Sequence, residues 1–163
     1  MEIRKLLSDD IGGVINLYNN VRETIDNKFW FSEISGTTYT DLVTSGCLYG
    51  AFNDNNELVG VSALLLDGIN YDISDEFTRL DLKLGELGFF MVRDDYRGKG
   101  VVNQINMRLM EIAKEFGVNA LCARIHPTNF ASIRAFRKLG KLEFVSFYQA
   151  KKDYPRVVYG VRI

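Results

Sequence analysis

The chain has 163 residues, 47% of them hydrophobic and 25% charged, so its length and apolar content suit a single domain over residues 1–163 with a sizeable core. Lys and Arg total 20 against 21 for Asp and Glu, a balance without the positive excess that drives binding to long polyanions, so nucleic acid is not expected as a partner. No apolar run approaches the roughly 20 residues that span a bilayer, and the opening MEIRKLLSDD lacks a signal peptide's apolar stretch, so no membrane partner and a cytoplasmic location are expected.

In chain order, Glu2 to Leu7 alternates enough for a short strand, and Ser8 is placed to cap a helix in which Ile11, Val14, Ile15, Tyr18 and Val21 recur at helical spacing. Residues Asn27 to Gly46 are aromatic and polar without clear period, with a short helix expected over Thr38 to Thr44, stopped by Gly46. Cys47 to Phe52 and Glu57 to Leu66 read as two strands joined by the turn Asn53-Asp54-Asn55-Asn56. After a polar stretch, Asp67 to Asp81, the run Leu84 to Val92 is apolar except for Glu86, as in a central strand covered on both faces. Val101, Ile105, Leu109, Ile112 and Phe116 then line one face of a helix that opens in Arg97-Gly98-Lys99-Gly100 and stops near Gly117. Ala120 to Ile125 is a strand, Asn129 to Leu139 a helix ended by Gly140, and Leu142 to Ala150 and Arg156 to Ile163 are final strands. The order implies an α/β chain: a mixed sheet with helices packed on it.

Cys47 and Cys122 are too few and too far apart for a disulfide framework or a zinc spacing, and read as buried, reduced thiols. The single histidine, His126, excludes a His-rich metal site, and before Pro127 at a strand end it reads as a turn residue rather than a general base. No metal is expected.

The segment Glu86 to Gly100 carries the chemistry: apolar strand, polar corner Arg93-Asp94-Asp95-Tyr96, glycine turn, amphipathic helix. Unpaired N–H groups in such a turn and in the first helical turn, with the helix dipole, form a site for phosphate or diphosphate. The alternative is that Gly98 and Gly100 only shape a corner while Arg97 and Lys99 stay solvated. The P-loop spacing is absent, since Arg93 and Gly100 stand where it needs Gly and Ser or Thr, and no GxGxxG follows a strand.

Arg97-Gly98-Lys99-Gly100-Val101-Val102 resembles the phosphate-binding signature of the GNAT superfamily of acyl-CoA-dependent N-acyltransferases, departing from it only at Val102, where the family has Gly or Ala. A second family pattern is similar to Asn129, Ser132, Ile133, Phe136 and Gly140, so the resemblance is strongest over Leu84 to Gly140. It implies a GNAT-like fold, a mostly antiparallel sheet of six or seven strands flanked by about four helices. It also implies acetyl-CoA as co-substrate, and as acceptor a primary amine of a small molecule or peptide; a homodimer is compatible with it. The strand carrying Met91, Val92 and Arg93 would offer backbone groups to the pantetheine, and Arg97 to Val102 would hold the diphosphate. Asn129 would stand near the pantetheine and is equally a helix cap, and Ser132 is a further residue of the implied coenzyme site. Phe136 would lie near the thioester, with Ile133, Phe136 and Leu139 also readable as plain core.

A protonated amine of pKa near 10.4 is free base in only about one molecule in two thousand at pH 7, so a base is useful. An acid in an apolar strand is costly unless hydrogen-bonded or functional, which makes Glu86 the candidate, in a place similar to the catalytic Glu of some histone-acetylating family members. The alternatives are that it faces solvent or pairs with an Arg. Many members donate a proton to the leaving thiolate from a Tyr where this chain has Phe136, and Tyr148 is the candidate substitute. Residues 27–44, with Phe29-Trp30-Phe31, and the loop carrying Asp72, Asp75 and Glu76 correspond to the regions that set substrate choice in the family. Two rival readings stay open: a silent module that binds the coenzyme without turnover, and a structural domain that uses the fold without it.

Overall fold

The computed structural model describes residues 1–31, 36–66, 82–151 and 154–163, with side chains except at 144–151 and 154. Its elements are β1 (Glu2–Lys5), α1 (Ile11–Thr24), α2 (Gly36–Thr44), β2 (Leu48–Phe52), β3 (Leu58–Leu65), β4 (Leu84–Val92), α3 (Val101–Glu115), β5 (Ala120–Ile125), α4 (Phe130–Arg137), β6 (Leu142–Lys151) and β7 (Tyr154–Arg162). The strands form a seven-stranded sheet in the order β1-β2-β3-β4-β5-β7-β6. Every neighbouring pair is antiparallel except β4 and β5, which α3 links as a parallel crossover. The polar loop with Asp72, Asp75 and Glu76 lies outside the described residues.

Helices cover both faces of the sheet. Val101, Ile105, Leu109 and Ile112 of α3, with Ile133 and Phe136 of α4, pack against Val59, Leu64, Leu87, Leu121 and Ala123. Val14, Leu17 and Val21 of α1, with Tyr39 and Val43 of α2, pack on the opposite face against Leu48, Val61, Ala63 and Met91. Each fully buried aliphatic side chain contributes about 1.5–3 kcal/mol, so these two clusters hold the layers together. At Gly60 a β-carbon would come within 2.5 Å of Val101 Cγ1, so this glycine lets the start of α3 lie directly on β3.

Strand β4 shapes the centre of the sheet in two ways. Ser62 of β3 stands opposite two residues, Phe89 and Phe90, between the pairs Ala63–Gly88 and Val61–Met91. This bulge holds Phe89 at a φ of 55° and turns it with Met91 toward α1 and α2, while Phe90 and Val92 face the α3 side. Secondly, β4 pairs with β5 only through Leu84–Ala120, Gly85–Leu121 and Glu86–Cys122. Beyond Glu86 the two part: β4 runs on beside β3, and β5 runs on beside β7.

Four expectations need correction. Ser8 does not cap α1, because Ser8–Asp10 is a turn of 3-10 helix in which Asp10 takes the capping work. Its carboxylate accepts the Leu7 amide at 2.8 Å and grips Arg4 at 2.7 and 2.8 Å. In α1 the buried positions are Val14, Leu17 and Val21, while Ile15 is 37% exposed. Phe116 is exposed because α3 ends at Glu115 and Gly117, at a φ of 73°, turns the chain away. Cys122 is buried, but Cys47, at the junction of α2 and β2, is only partly so, its Sγ 3.3 Å from Ser45 Oγ.

Candidate active site

The fork between β4 and β5 continues into a groove of about 480 Å³. Phe90 and Val92 line it from β4, and Gly98, Gly100 and Val102 from the turn and first residues of α3. Asn129, Ser132, Arg134 and Lys138 line it from α4, and Ile25, Asp26, Trp30 and Phe31 from the segment after α1.

The glycine turn is built to present its backbone. Gly98 and Gly100 sit at φ of 75° and 78°, in the left-handed region that side chains avoid, and a β-carbon at either would meet nothing within 4 Å. Backbone conformation, not crowding, therefore requires glycine there, and the approach from the groove stays open. Gln104 N–H to the Gly100 carbonyl, at 3.1 Å, begins the ladder of α3, so the amides of Val101, Val102 and Asn103 have no helical acceptor. Arg97 is committed elsewhere: its guanidinium donates to the Thr24 carbonyl at 2.9 Å and hydroxyl at 2.6 Å, and its Nε to the Val92 carbonyl at 3.4 Å. It ties the turn to the end of α1 and to β4.

Along β4 the amides alternate in direction. Arg93 donates to Val59 at 3.0 Å, toward β3, so the neighbouring Val92 directs its N–H the other way, into the fork. Of the strand residues expected to meet a coenzyme, Val92 lines the groove, while Met91 and Arg93 do not. Met91 is buried under Tyr39, whose hydroxyl lies 3.6 Å from its sulfur, and Arg93 pairs with Asp95 at 2.7 Å and Glu57 at 3.3 Å. That pairing holds Asp95 and Glu57 below the usual carboxylate range, the side-chain hydrogen bond from Arg93 acting first on Asp95 and that from Asn53 first on Glu57. Lys99 also points away, over the Tyr96 ring at 4.8 Å, beside a second recess of about 410 Å³ lined by Asn53, Asp54 and Asn55.

On α4, Asn129 is the cap: its Oδ1 accepts the Ser132 amide at 3.1 Å. Both residues line the groove. Phe136 is fully buried in the core and absent from the groove wall, because the side of α4 that faces the sheet carries Ile133 and Phe136. Arg97, Gly98, Gly100, Val101 and Val102 all reach the groove.

Glu86 stands at the fork itself, 3% exposed, its two oxygens 2.7 and 3.1 Å from Arg124 Nε and Nη2. Burial pushes its carboxyl above the ordinary range, the nearby guanidinium opposing this. The same burial, with Glu86 alongside, pushes the Cys122 thiol up to about 12, so that thiol is inert at neutral pH. Tyr148 falls on β6 opposite Arg156 in register; its side chain lies outside the described ones.

His126 ends β5, and its Nδ1 lies 3.2 Å from the Thr128 amide and 3.0 Å from the Thr128 hydroxyl. A backbone N–H can only donate, so Nδ1 accepts and the ring proton of the neutral form sits on Nε2. With its lone pair engaged, His126 is a turn residue here, as expected. Burial and then the charge of Arg156 hold its pKa below the ordinary value.

Sequence reasoning missed Phe90, Asn103, Thr128, Arg134 and Lys138. Arg134 and Lys138 follow Ala131 and Ala135 at helical spacing, a signal that could have put them on the groove face. Phe90 depended on the bulge, which the apolar run gave no sign of. Thr128 had no signal.

A family model described as acetyltransferase (GNAT) family matches residues 15–141. No curated protein sequence matches the chain. Among solved structures, a ribosomal-protein-alanine N-acetyltransferase from Brucella melitensis superposes over 100% of both chains at a TM-score of 0.73 and 17% identity. An N-acetyltransferase from Staphylococcus aureus Mu50 covers 99% of this chain and 97% of its own at 0.72 and 18%. A GNAT superfamily phosphinothricin acetyltransferase from Sinorhizobium meliloti, solved in complex with acetyl-CoA, covers 99% and 88% at 0.70 and 14%. The forked sheet, the glycine turn at the head of α3 and the capped α4 therefore stand in a chain that belongs to the GNAT acetyltransferase family.

Proposed function

We propose that this chain is a one-domain N-acyltransferase that moves an acetyl group from acetyl-CoA to a primary amine of a small molecule or peptide. The observation that carries the reading is the fork. Where β5 leaves β4, the edge of β4 keeps backbone groups in strand geometry, Val92 among them, and these suit the amides of an extended pantetheine as a further strand would. The groove then leads to the free amides of Val101, Val102 and Asn103, a site for a diphosphate at a helix N-terminus. The acetyl-CoA complex of the Sinorhizobium neighbour, which shares the fold, supports the same ligand.

In this reading the amine nitrogen attacks the thioester carbonyl carbon; the C–N bond forms, the C–S bond breaks and the amine loses a proton. A β4 amide facing the fork polarises the carbonyl. Glu86 accepts the proton through water: its raised pKa makes it a better base than an ordinary carboxylate, and Arg124 holds it at the fork. The coenzyme leaves as a thiolate, whose conjugate acid has a pKa near 8.5, with Tyr148 as the proton donor to test.

One observation favours a second reading, a coenzyme-binding module without turnover: Phe136, where many family members offer a Tyr, is fully buried. Calorimetry with acetyl-CoA and thiol release across a broad amine panel decide between them. Expected are saturable binding, turnover with at least one amine, and for Glu86→Gln a fall in kcat of roughly 10²–10⁴ with loss of the acid limb of the pH–rate profile. Binding without thiol release from any amine points to the silent module, and no binding at millimolar coenzyme ends both readings.

A further inference from the structure

The segment that leaves α1 crosses from one wall of the groove to the other and is pinned at each end. At its start, Arg97 of the glycine turn holds the Thr24 carbonyl and hydroxyl. At its far end, Trp30 Nε1 donates to Thr128 Oγ1 at 2.8 Å, and Thr128 belongs to the turn between β5 and α4 on the opposite wall. Between the pins Ile25, Asp26 and Trp30 face the groove. The strap has its own internal structure: Asn27 Oδ1 accepts the Phe29 amide at 2.9 Å, and Phe31 is buried against Tyr18, ring centroids 5.8 Å apart.

The far pin is oriented from behind. An indole N–H only donates, and His126 Nδ1 is an acceptor because it receives the Thr128 amide. The Thr128 hydroxyl, 3.0 Å from that nitrogen, gives its proton to His126, which leaves its lone pairs for Trp30. The two pins are unequal. Arg97 makes two charge-assisted bonds to Thr24, whereas a single neutral bond joins Trp30 to the exposed Thr128, where water readily takes over its partners. The Trp30 end is therefore the weaker of the two pins.

We infer that Trp30 and Thr128 are positioning residues: their hydrogen bond is a clasp that fixes the strap over the coenzyme groove, and coenzyme enters and leaves by opening it. This rests on the reading of the groove as a coenzyme site. The indole and Ile25 give the closed strap an apolar underside against the thioester arm, and the clasp sets how long the coenzyme stays.

The chain has one tryptophan, so its fluorescence reports the clasp directly. Thr128→Val removes the hydroxyl at nearly constant shape, and Thr128→Ser keeps it. Without ligand, Thr128→Val is expected to shift Trp30 emission to the red and increase acrylamide quenching, with Thr128→Ser behaving as wild type. In stopped-flow displacement, Thr128→Val is expected to release acetyl-CoA about fivefold faster, the effect of losing one neutral hydrogen bond, and Thr128→Ser to restore the rate. Should Thr128→Val fail to fold, Trp30→Phe with release of a fluorescently labelled acetyl-CoA carries the same expectation. Wild-type emission and release rates in Thr128→Val, or an unchanged release rate in Trp30→Phe, overturn the clasp alone if calorimetry shows that coenzyme binds. No binding by calorimetry overturns the coenzyme reading and the gating role with it.

Discussion

His126 and Glu86 are buried ionisable side chains whose states are set by immediate neighbours. His126 is held neutral by burial, by Arg156 and by two donors on Nδ1, and its pKa in the fold lies below the ordinary value of 6.5. Between that lowered pKa and about 6.5 the unfolded chain binds the proton and the native chain does not, so stability is complete above this window and lost as pH falls through it. The melting temperature should accordingly drop between pH 7.5 and 5.5, and the drop should shrink in His126→Gln; an equal slope in both would show that His126 is not the group responsible. Glu86 was legible as an anomaly, an acid in an apolar strand. Its partner was not, because Arg124 is far away in sequence and meets it only through the parallel pairing of β4 with β5.

At the scale of elements, α3 and the turn before it were the most legible part of the chain. Val101, Ile105, Leu109 and Ile112 repeat at helical spacing and are buried, together with Asn106 and Ala113, and the glycines ahead of the helix take the positive φ that such a turn demands. Alanine at Gly98 or Gly100 should cost about 1–2 kcal/mol of stability, since each would force a side chain into the left-handed region. Each new methyl would also project into the open approach, so acetyl-CoA affinity by calorimetry should fall further than the loss of stability explains; unchanged affinity in a folded variant would show that the turn does not hold the ligand. The strand β4 was legible as a strand, but not its bulge. Phe89 and Phe90 are both apolar, and hydropathy cannot reveal that the two together oppose Ser62.

For the whole molecule, the decisive feature is a loss of pairing on one side: β5 stays beside β7 along its whole length but leaves β4 after three pairs, and the sheet opens where helices from both faces can reach the gap. A ligand in that opening touches β4, α3, α4 and the strap together, so its binding should stabilise the fold as a unit. Acetyl-CoA at 100 times its Kd should add about 2.7 kcal/mol, a rise in Tm of roughly 5–10 °C for a domain of this size. A flat melting temperature at millimolar acetyl-CoA would contradict the proposed site.

The sequence by itself determined the order of strands and helices, the glycine turn with its helix, the Asn129 cap and the family resemblance, because these depend on residues close together in the chain. Only the tertiary structure decided where the sheet forks, which β4 amides face the gap, and that Phe136 belongs to the core and Arg97 to Thr24. It alone brought Trp30 to Thr128 and Glu86 to Arg124. Those contacts join segments distant in sequence, and they form only when strand pairing and helix packing have set the segments side by side.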